Sequence, residues 1–174
     1  MKQLLILTDE DLFTDAQNLA PAGWFKRNAA RAVLCNDQGE VYLLKMSTRN
    51  YHKLPGGGVN AGEQLKDALY RELLEEVGCP AEIQDELGEV IEYRNSEEME
   101  QHSYCYIAKQ KGPLEETALE DEEIEDGAET VVAKNIDEAI ALLENDAPTN
   151  YEGHFIRRRD LQFLHAAKMQ LDKK

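Results

Sequence analysis

Three carboxylates, Glu72, Glu75 and Glu76, stand at i, i+3 and i+4 and would share one face of a helix. At those spacings each like-charged pair repels by roughly 0.2–0.5 kcal/mol on an isolated helix. Arg71, four residues before Glu75, relieves part of this. Two readings account for the rest. The face is either simply solvated, as charge runs commonly are, or it holds a divalent cation. A hard ion such as Mg²⁺ takes oxygen ligands, typically one or two carboxylates together with substrate phosphates. Held there, it would neutralise phosphate charge and generate hydroxide from water.

The segment that must position these carboxylates is 57–79, GGVNAGEQLKDALYRELLEEVGC. Asn60, Ala61 and Gly62 are turn or cap residues. From Glu63 to Val77 neither proline nor glycine interrupts a helical pattern, Gly78 stands at the expected C-cap and Pro80 follows. Leu69, Leu73 and Val77 fall on one face, with Tyr70 and Leu74 beside it, and the carboxylates fall on another.

The order of residues carries more than their charge. From Gly57 the chain runs through five residues to Glu63 and seven more to Arg71-Glu72-Leu73. Glu75-Glu76, Gly78 and an apolar position then follow. This resembles the signature of the Nudix hydrolases, with Cys79 serving as a small hydrophobe where a larger aliphatic is commoner. The lead-in Lys53-Leu54-Pro55-Gly56-Gly57-Gly58 is similar to that family as well. The resemblance implies hydrolysis of a nucleoside diphosphate linked to another group, dependent on Mg²⁺ with Mn²⁺ as an alternative. It implies Glu72, Glu75 and Glu76 as metal ligands, with the Gly56 carbonyl as an extra one. Arg71 is expected to hold the carboxylates, and Glu63 to brace the loop or orient Arg71. Gly57 and Gly58 would let the backbone approach metal and phosphate. Arg49 and His52, ahead of the glycines, are expected to contact substrate. Nudix enzymes often recruit a further glutamate from a facing loop. In the acidic stretch 114–127 Glu123 is the first choice for that base or ligand and Glu120 the second.

Substrate markers of the resembled family are thin. Arg94 stands where ADP-ribose hydrolases tend to carry proline, and Tyr93 is out of step with the dinucleoside-polyphosphate pattern. The lean is to nucleoside triphosphates, with dinucleoside polyphosphates, nucleotide sugars, or a nucleotide sensor without turnover as alternatives. A degenerate sensor should have lost carboxylates, and none is missing.

The chain of 174 residues is read as one domain, 29–174, with a lead-in over 1–28 packed upon it. Its formal net charge of −16 argues against nucleic-acid polymers and anionic membranes, but not against a nucleotide. The apolar run after Met1-Lys2 is too short for a secretory signal, and no run of about 18 apolar residues is present. Cys35, Cys79 and Cys105 lack metal spacing and are expected as reduced thiols in the cytoplasm.

Strands are expected at 3–7, 53–55 and 129–133, with β-hairpins over 29–46 and 81–109. A helical turn is expected after Thr14, and helices over 136–143 and 154–171. This is an α/β chain with a mixed sheet, and the resemblance makes it a Nudix fold, an α/β/α sandwich. Trp24 and Phe25 are expected to pack the lead-in, with base stacking as the alternative. Arg157, Arg158 and Arg159 are expected to pair with the acidic surface, and a homodimer through the lead-in or closing helix is anticipated.

Overall fold

A computed structural model describes residues 1–173. The strands are β1 (Gln3–Leu7), β2 (Phe25–Cys35), β3 (Val41–Met46), β4 (Tyr51–Lys53), β5 (Gly56–Gly58), β6 (Ala81–Arg94), β7 (Met99–Gln110) and β8 (Ala128–Ala133). The helices are α1 (Leu65–Val77), α2 (Asp121–Glu125), α3 (Ile136–Asn145) and α4 (Tyr151–Leu171). The sheet runs β1-β6-β7-β2-β3-β4, with β5 on β2 and β8 on β3. It is mixed, because β1/β6 and β2/β7 are parallel and the remaining pairs antiparallel.

Strand alternation divides the apolar residues between two cores. From β2 and β3, Ala30, Ala32, Leu34, Tyr42, Leu44 and Met46 pack with Leu69, Leu73 and Val77 of α1. Val33, Val41 and Leu43 pack on the other face with Leu143 of α3 and Phe155, Phe163 and Leu164 of α4. A central strand covered on both faces must read as a nearly continuous apolar run, which is the composition of β2. Helices on both faces make this the α/β/α sandwich.

The hairpin expected over 29–46 forms at its turn, where Asn36 N–H donates to the Glu40 carbonyl, but the strands then separate. Only Cys35 and Val41 are in register. The segment carrying β4 and β5 fills the gap, pairing with β3 over 44–46 and with β2 over 29–31. Along its other edge β2 pairs with β7 in parallel from Phe25 to Cys35. The second hairpin forms as β6 and β7, with two register shifts.

Three local expectations are corrected. The helical turn of the lead-in lies at Asp9–Asp11, ahead of Thr14, where Asp11 accepts from the N–H and hydroxyl of Thr8. Phe25 does not pack the lead-in; it is 66% exposed. That packing comes from Phe13, stacked on Tyr151 of α4 at 5.3 Å. The arginine trio is not a surface cluster either. Arg157 caps α3 through the carbonyls of Leu143 and Glu144, Arg159 is wholly buried, and Arg158 alone is exposed.

Candidate active site

Burial of Leu69, Leu73 and Val77 fixes the rotation of α1 and turns Glu72, Glu75 and Glu76 toward the glycine turn. Glu76 goes deepest: its side chain is 1% exposed, and its two oxygens accept from Gly56 N–H (2.5 Å) and Lys53 Nζ (2.8 Å). Glu72 lies beneath Gly57, where an added Cβ would stand 2.5 Å from its carboxylate oxygens. Only glycine leaves that approach open. Arg71 is the brace. Its Nε and Nη2 fork onto Glu63, its Nη1 bonds Glu72 (2.7 Å) and Glu75 (3.0 Å), and Nη2 also reaches the Gly58 carbonyl. Glu63 accepts the Asn60 N–H as well, so one carboxylate both ties the loop and orients the guanidinium.

The fourth carboxylate arrives from the acidic loop. Glu115 N–H donates to the Gly78 carbonyl (2.6 Å) and Ala118 N–H to the Glu75 carbonyl (2.7 Å), docking that loop on the C-terminal end of α1. Gly78 makes the docking feasible. It ends α1 at φ +62°, and a Cβ there would lie 2.1 Å from the Glu115 carbonyl oxygen. The loop then carries Glu123, on α2, to 2.9 Å from the same Lys53 Nζ that bonds Glu76.

Behind the glycines lies a buried charged layer. Arg31 of β2 donates to the Gly56 carbonyl (2.6 Å), and Asp160 of α4 accepts the Leu54 N–H (2.8 Å). Asp160 also accepts from Arg159, which reaches Glu92 at 3.4 Å; Glu92 in turn holds Arg94. Among the described residues the Nε of Arg31 has no hydrogen-bond partner. These elements enclose a cleft of about 410 Å³ whose lining includes Lys53, the three glycines of β5, Arg71, Glu72, Glu76 and Glu123. Phe25, Arg27 and Arg31 of β2 and Glu152 of α4 also line it.

Burial pushes the Glu76 carboxyl up to about 8, with Lys53 opposing and Glu123 adding to the rise. Glu123 is held below the ordinary carboxylate range: burial pushes upward, but its hydrogen bond with Glu76 and the Lys53 charge outweigh it. Lys53 is raised, its two carboxylates overcoming burial. Burial lowers Arg31 to about 10, and neighbouring Arg159 adds to that.

Carboxylate oxygens and a backbone carbonyl are the donors that Mg²⁺ and Mn²⁺ accept, and the cradle that Gly57 leaves over Glu72 suits an ion of that size. The donor types therefore fit a hard dication. Among the described residues no three acids, histidines or cysteines are already gathered around one point. Arg71 and Lys53 hold the carboxylates instead, and the Gly56 carbonyl faces Arg31.

The sequence model of the NUDIX domain matches residues 25–152. The chain belongs to the Nudix family. Among curated proteins, an RNA pyrophosphohydrolase of Hahella chejuensis (strain KCTC 2396) is 33% identical over 98 residues, covering 53% of this chain and 61% of that one. One of Edwardsiella ictaluri (strain 93-146) is 50% identical over 46 residues, 26% of each chain. The chain thus spans less than two thirds of these relatives. Among solved structures, a NUDIX hydrolase from Nitrosomonas europaea superposes with a TM-score of 0.58 at 17% identity, covering 82% of this chain and 90% of that one. A MutT protein from Methanosarcina mazei Go1 gives 0.57 at 19%, covering 85% and 97%. At such identities these two show the fold alone. No helix among the described residues is long and apolar enough to cross a membrane.

Within this Nudix domain the expected residues fall in two groups. Gly56, Gly57, Gly58, Arg71, Glu72, Glu76 and Glu123 line the cleft, and Glu63 and Glu75 hold Arg71 at its edge. Glu120 lines it too, as the N-cap of α2. Arg49 and His52 do not line it. His52 is turned away by Asp146, which bonds both its ring Nδ1 (2.8 Å) and its N–H, and Arg49 is tied to Asp126 at 2.8 Å. Three residues were not foreseen: Lys53, Arg31 and Asp160. Arg31 left a signal, as a lone charge inside the run AARAVLC. Lys53 stood in the lead-in to the glycines, but nothing there pointed it at Glu123, 70 residues away, and Asp160 left no signal, its Leu54 partner lying 106 residues away.

Proposed function

We propose that this Nudix protein is a Mg²⁺- or Mn²⁺-dependent pyrophosphohydrolase that cleaves the diphosphate linkage of a free nucleotide, with nucleoside triphosphates as the preferred class. The observation that carries this reading is the convergence of Glu123, from a separate loop, on the buried Glu76 across one ammonium. A solvated acidic face has no reason to bury a carboxylate or to recruit another from 47 positions away (123 − 76).

In the reaction, water oxygen forms a bond to one phosphorus, the anhydride P–O bond breaks and its electron pair leaves with the departing phosphate. A dication held by Glu72, Glu75, Glu76 and Glu123 would screen the diphosphate charge and lower the pKa of water. The chain's own groups do the rest. Glu123, ionised at neutral pH, is placed to accept a proton from the attacking water. Arg71 fixes Glu72 and Glu75, and the Gly57–Gly58 backbone lets phosphate oxygens approach. The exposed ring of Phe25 offers a face to a base on the cleft wall.

Glu120, Glu122, Asp126 and Glu152 also line the cleft, and with a net charge of −16 they oppose a polyanionic chain continuing beyond it. A second reading, the triphosphorylated 5′ end of RNA, is favoured by the name of the Hahella chejuensis relative. A panel of nucleoside triphosphates, dinucleoside polyphosphates, nucleotide sugars and 5′-triphosphorylated RNA, assayed with Mg²⁺ and Mn²⁺, separates the two. Glu76→Gln should keep the circular dichroism spectrum and cooperative melting yet abolish metal-dependent phosphate or pyrophosphate release. Unchanged turnover in that variant defeats the assignment.

A further inference from the structure

Lys53 occupies the place a metal would want. Its Nζ bonds Oε1 of both Glu76 and Glu123, while the second oxygen of each is already taken, by Gly56 N–H and Glu120 N–H respectively. Among the described residues no other ammonium or guanidinium bonds either carboxylate. Arg71 cannot take over, because its donors are committed to Glu63, Glu72, Glu75 and the Gly58 carbonyl. The site is also confined: the Lys53, Glu76 and Glu123 side chains are 12%, 1% and 14% exposed. A dication reaching the two Oε1 atoms would stand against the ammonium that holds them, and like charges at such range repel strongly where water is scarce.

We infer that Lys53 is a built-in occupant of the cation position. The ammonium and a divalent ion exclude one another at Glu76 and Glu123, and loading the ion drives the lysine side chain off both carboxylates into the cleft it lines. This rests on the reading that the site takes a divalent cation. In the metal-free protein Lys53 keeps the two carboxyl groups together and the loop bearing Glu123 docked. Its ammonium is a positioning group, and it sets a threshold that the metal must exceed. β4 presents Lys53 from the strand edge on four flexible methylenes, so the displacement needs side-chain rotation and no movement of the sheet.

Two measurements test this. Mn²⁺ alone is titrated by calorimetry, at about pH 8.5, into the wild type, Lys53→Met and Lys53→Arg. Lys53→Met should bind at least about tenfold more tightly than the wild type, and Lys53→Arg no more tightly. In the wild type, amine acylation mapped by mass spectrometry should modify Lys53 at least about tenfold faster with saturating Mn²⁺ than without it, while the helix-surface Lys66 is unchanged. The labelling needs no variant and decides the matter if Lys53→Met fails to fold by circular dichroism. Equal or weaker Mn²⁺ binding by a folded Lys53→Met, or Lys53 labelling indifferent to Mn²⁺, overturns the inference while leaving the metal site standing. Absence of Mn²⁺ binding by the wild type overturns both.

Discussion

Asp160 to asparagine is a one-atom change that tests whether the glycine turn is held by buried charge. The fully buried layer behind the turn contains three guanidiniums, of Arg31, Arg94 and Arg159, and two carboxylates, of Glu92 and Asp160. Glu152, half-buried, adds a third anion beside Arg94. Neutralising Asp160 leaves three buried cations facing one fully buried anion. Breaking a buried pair from one side costs about 3–5 kcal/mol, since the remaining charge stays buried. For a chain of this size that lowers the melting temperature by about 6–20 °C. The asparagine can still accept the Leu54 N–H through its amide oxygen. Asp160→Ala cannot, so it should lose about 1–3 kcal/mol more by orphaning that donor. Urea unfolding followed by circular dichroism, with thermal melts in parallel, measures both steps. A melting temperature for Asp160→Asn within about 2 °C of the wild type would refute the charge argument. Equal losses for asparagine and alanine would refute the role of the Leu54 bond.

Three further outcomes follow from the same geometry. The folded pKa of Glu76, about 8, lies above its ordinary 4.5, so its contribution to stability is full below about 4.5 and is lost as pH rises through about 8. The metal-free protein should therefore melt lower at pH 9 than at pH 6, and Glu76→Gln should flatten that slope in a thermal-shift series. Gly57→Ala places a Cβ 2.5 Å from the Glu72 carboxylate, a movable group, so the far-ultraviolet spectrum should stay native while Mn²⁺ affinity, read by titration calorimetry, falls at least about tenfold. Gly78→Ala puts a side chain at φ +62° against the Glu115 carbonyl; it should cost at least about 1–2 kcal/mol in urea unfolding and reduce turnover, because the displaced loop carries Glu123.

How much of this was legible in the sequence depends on the range over which each interaction acts. α1, its glycine stop and the face it buries are local, and periodicity fixed all three; the helix simply starts two residues later, at Leu65. The carboxylate triplet and Arg71 are likewise neighbours along one helix. Glu123 was reachable only through resemblance, since nothing in the run LEETALEDEEIEDG marks which acid faces α1. What marks it is the docking of the loop on Gly78 and Glu75. The hairpin over 29–46 misled for a related reason. Its turn chemistry is sound, but beyond Cys35 and Val41 the strands part because the glycine segment takes that edge of β2 at 29–31, while β7 pairs along the opposite edge; both are tertiary events.

The same distinction explains why the site's cations went unseen while its anions were plain. Acids outnumber bases 35 to 19, so a reading of charge finds a negative surface and assigns arginines to neutralise it. The fold does the reverse with several of them. Arg31, Arg94 and Arg159 are buried, and Lys53 and Arg71 are turned onto cleft carboxylates. A buried carboxylate such as Glu76 is tolerated in its ionised form only while a cation is within hydrogen-bonding reach. On the proposed reading, in which this helix keeps its acids for a dication, the metal-free state must therefore hold side-chain cations that stand in for it. Lys53 and Arg71 share that role. Arg71 serves the outer pair from its own helix, and Lys53 serves the inner pair from a strand across the cleft.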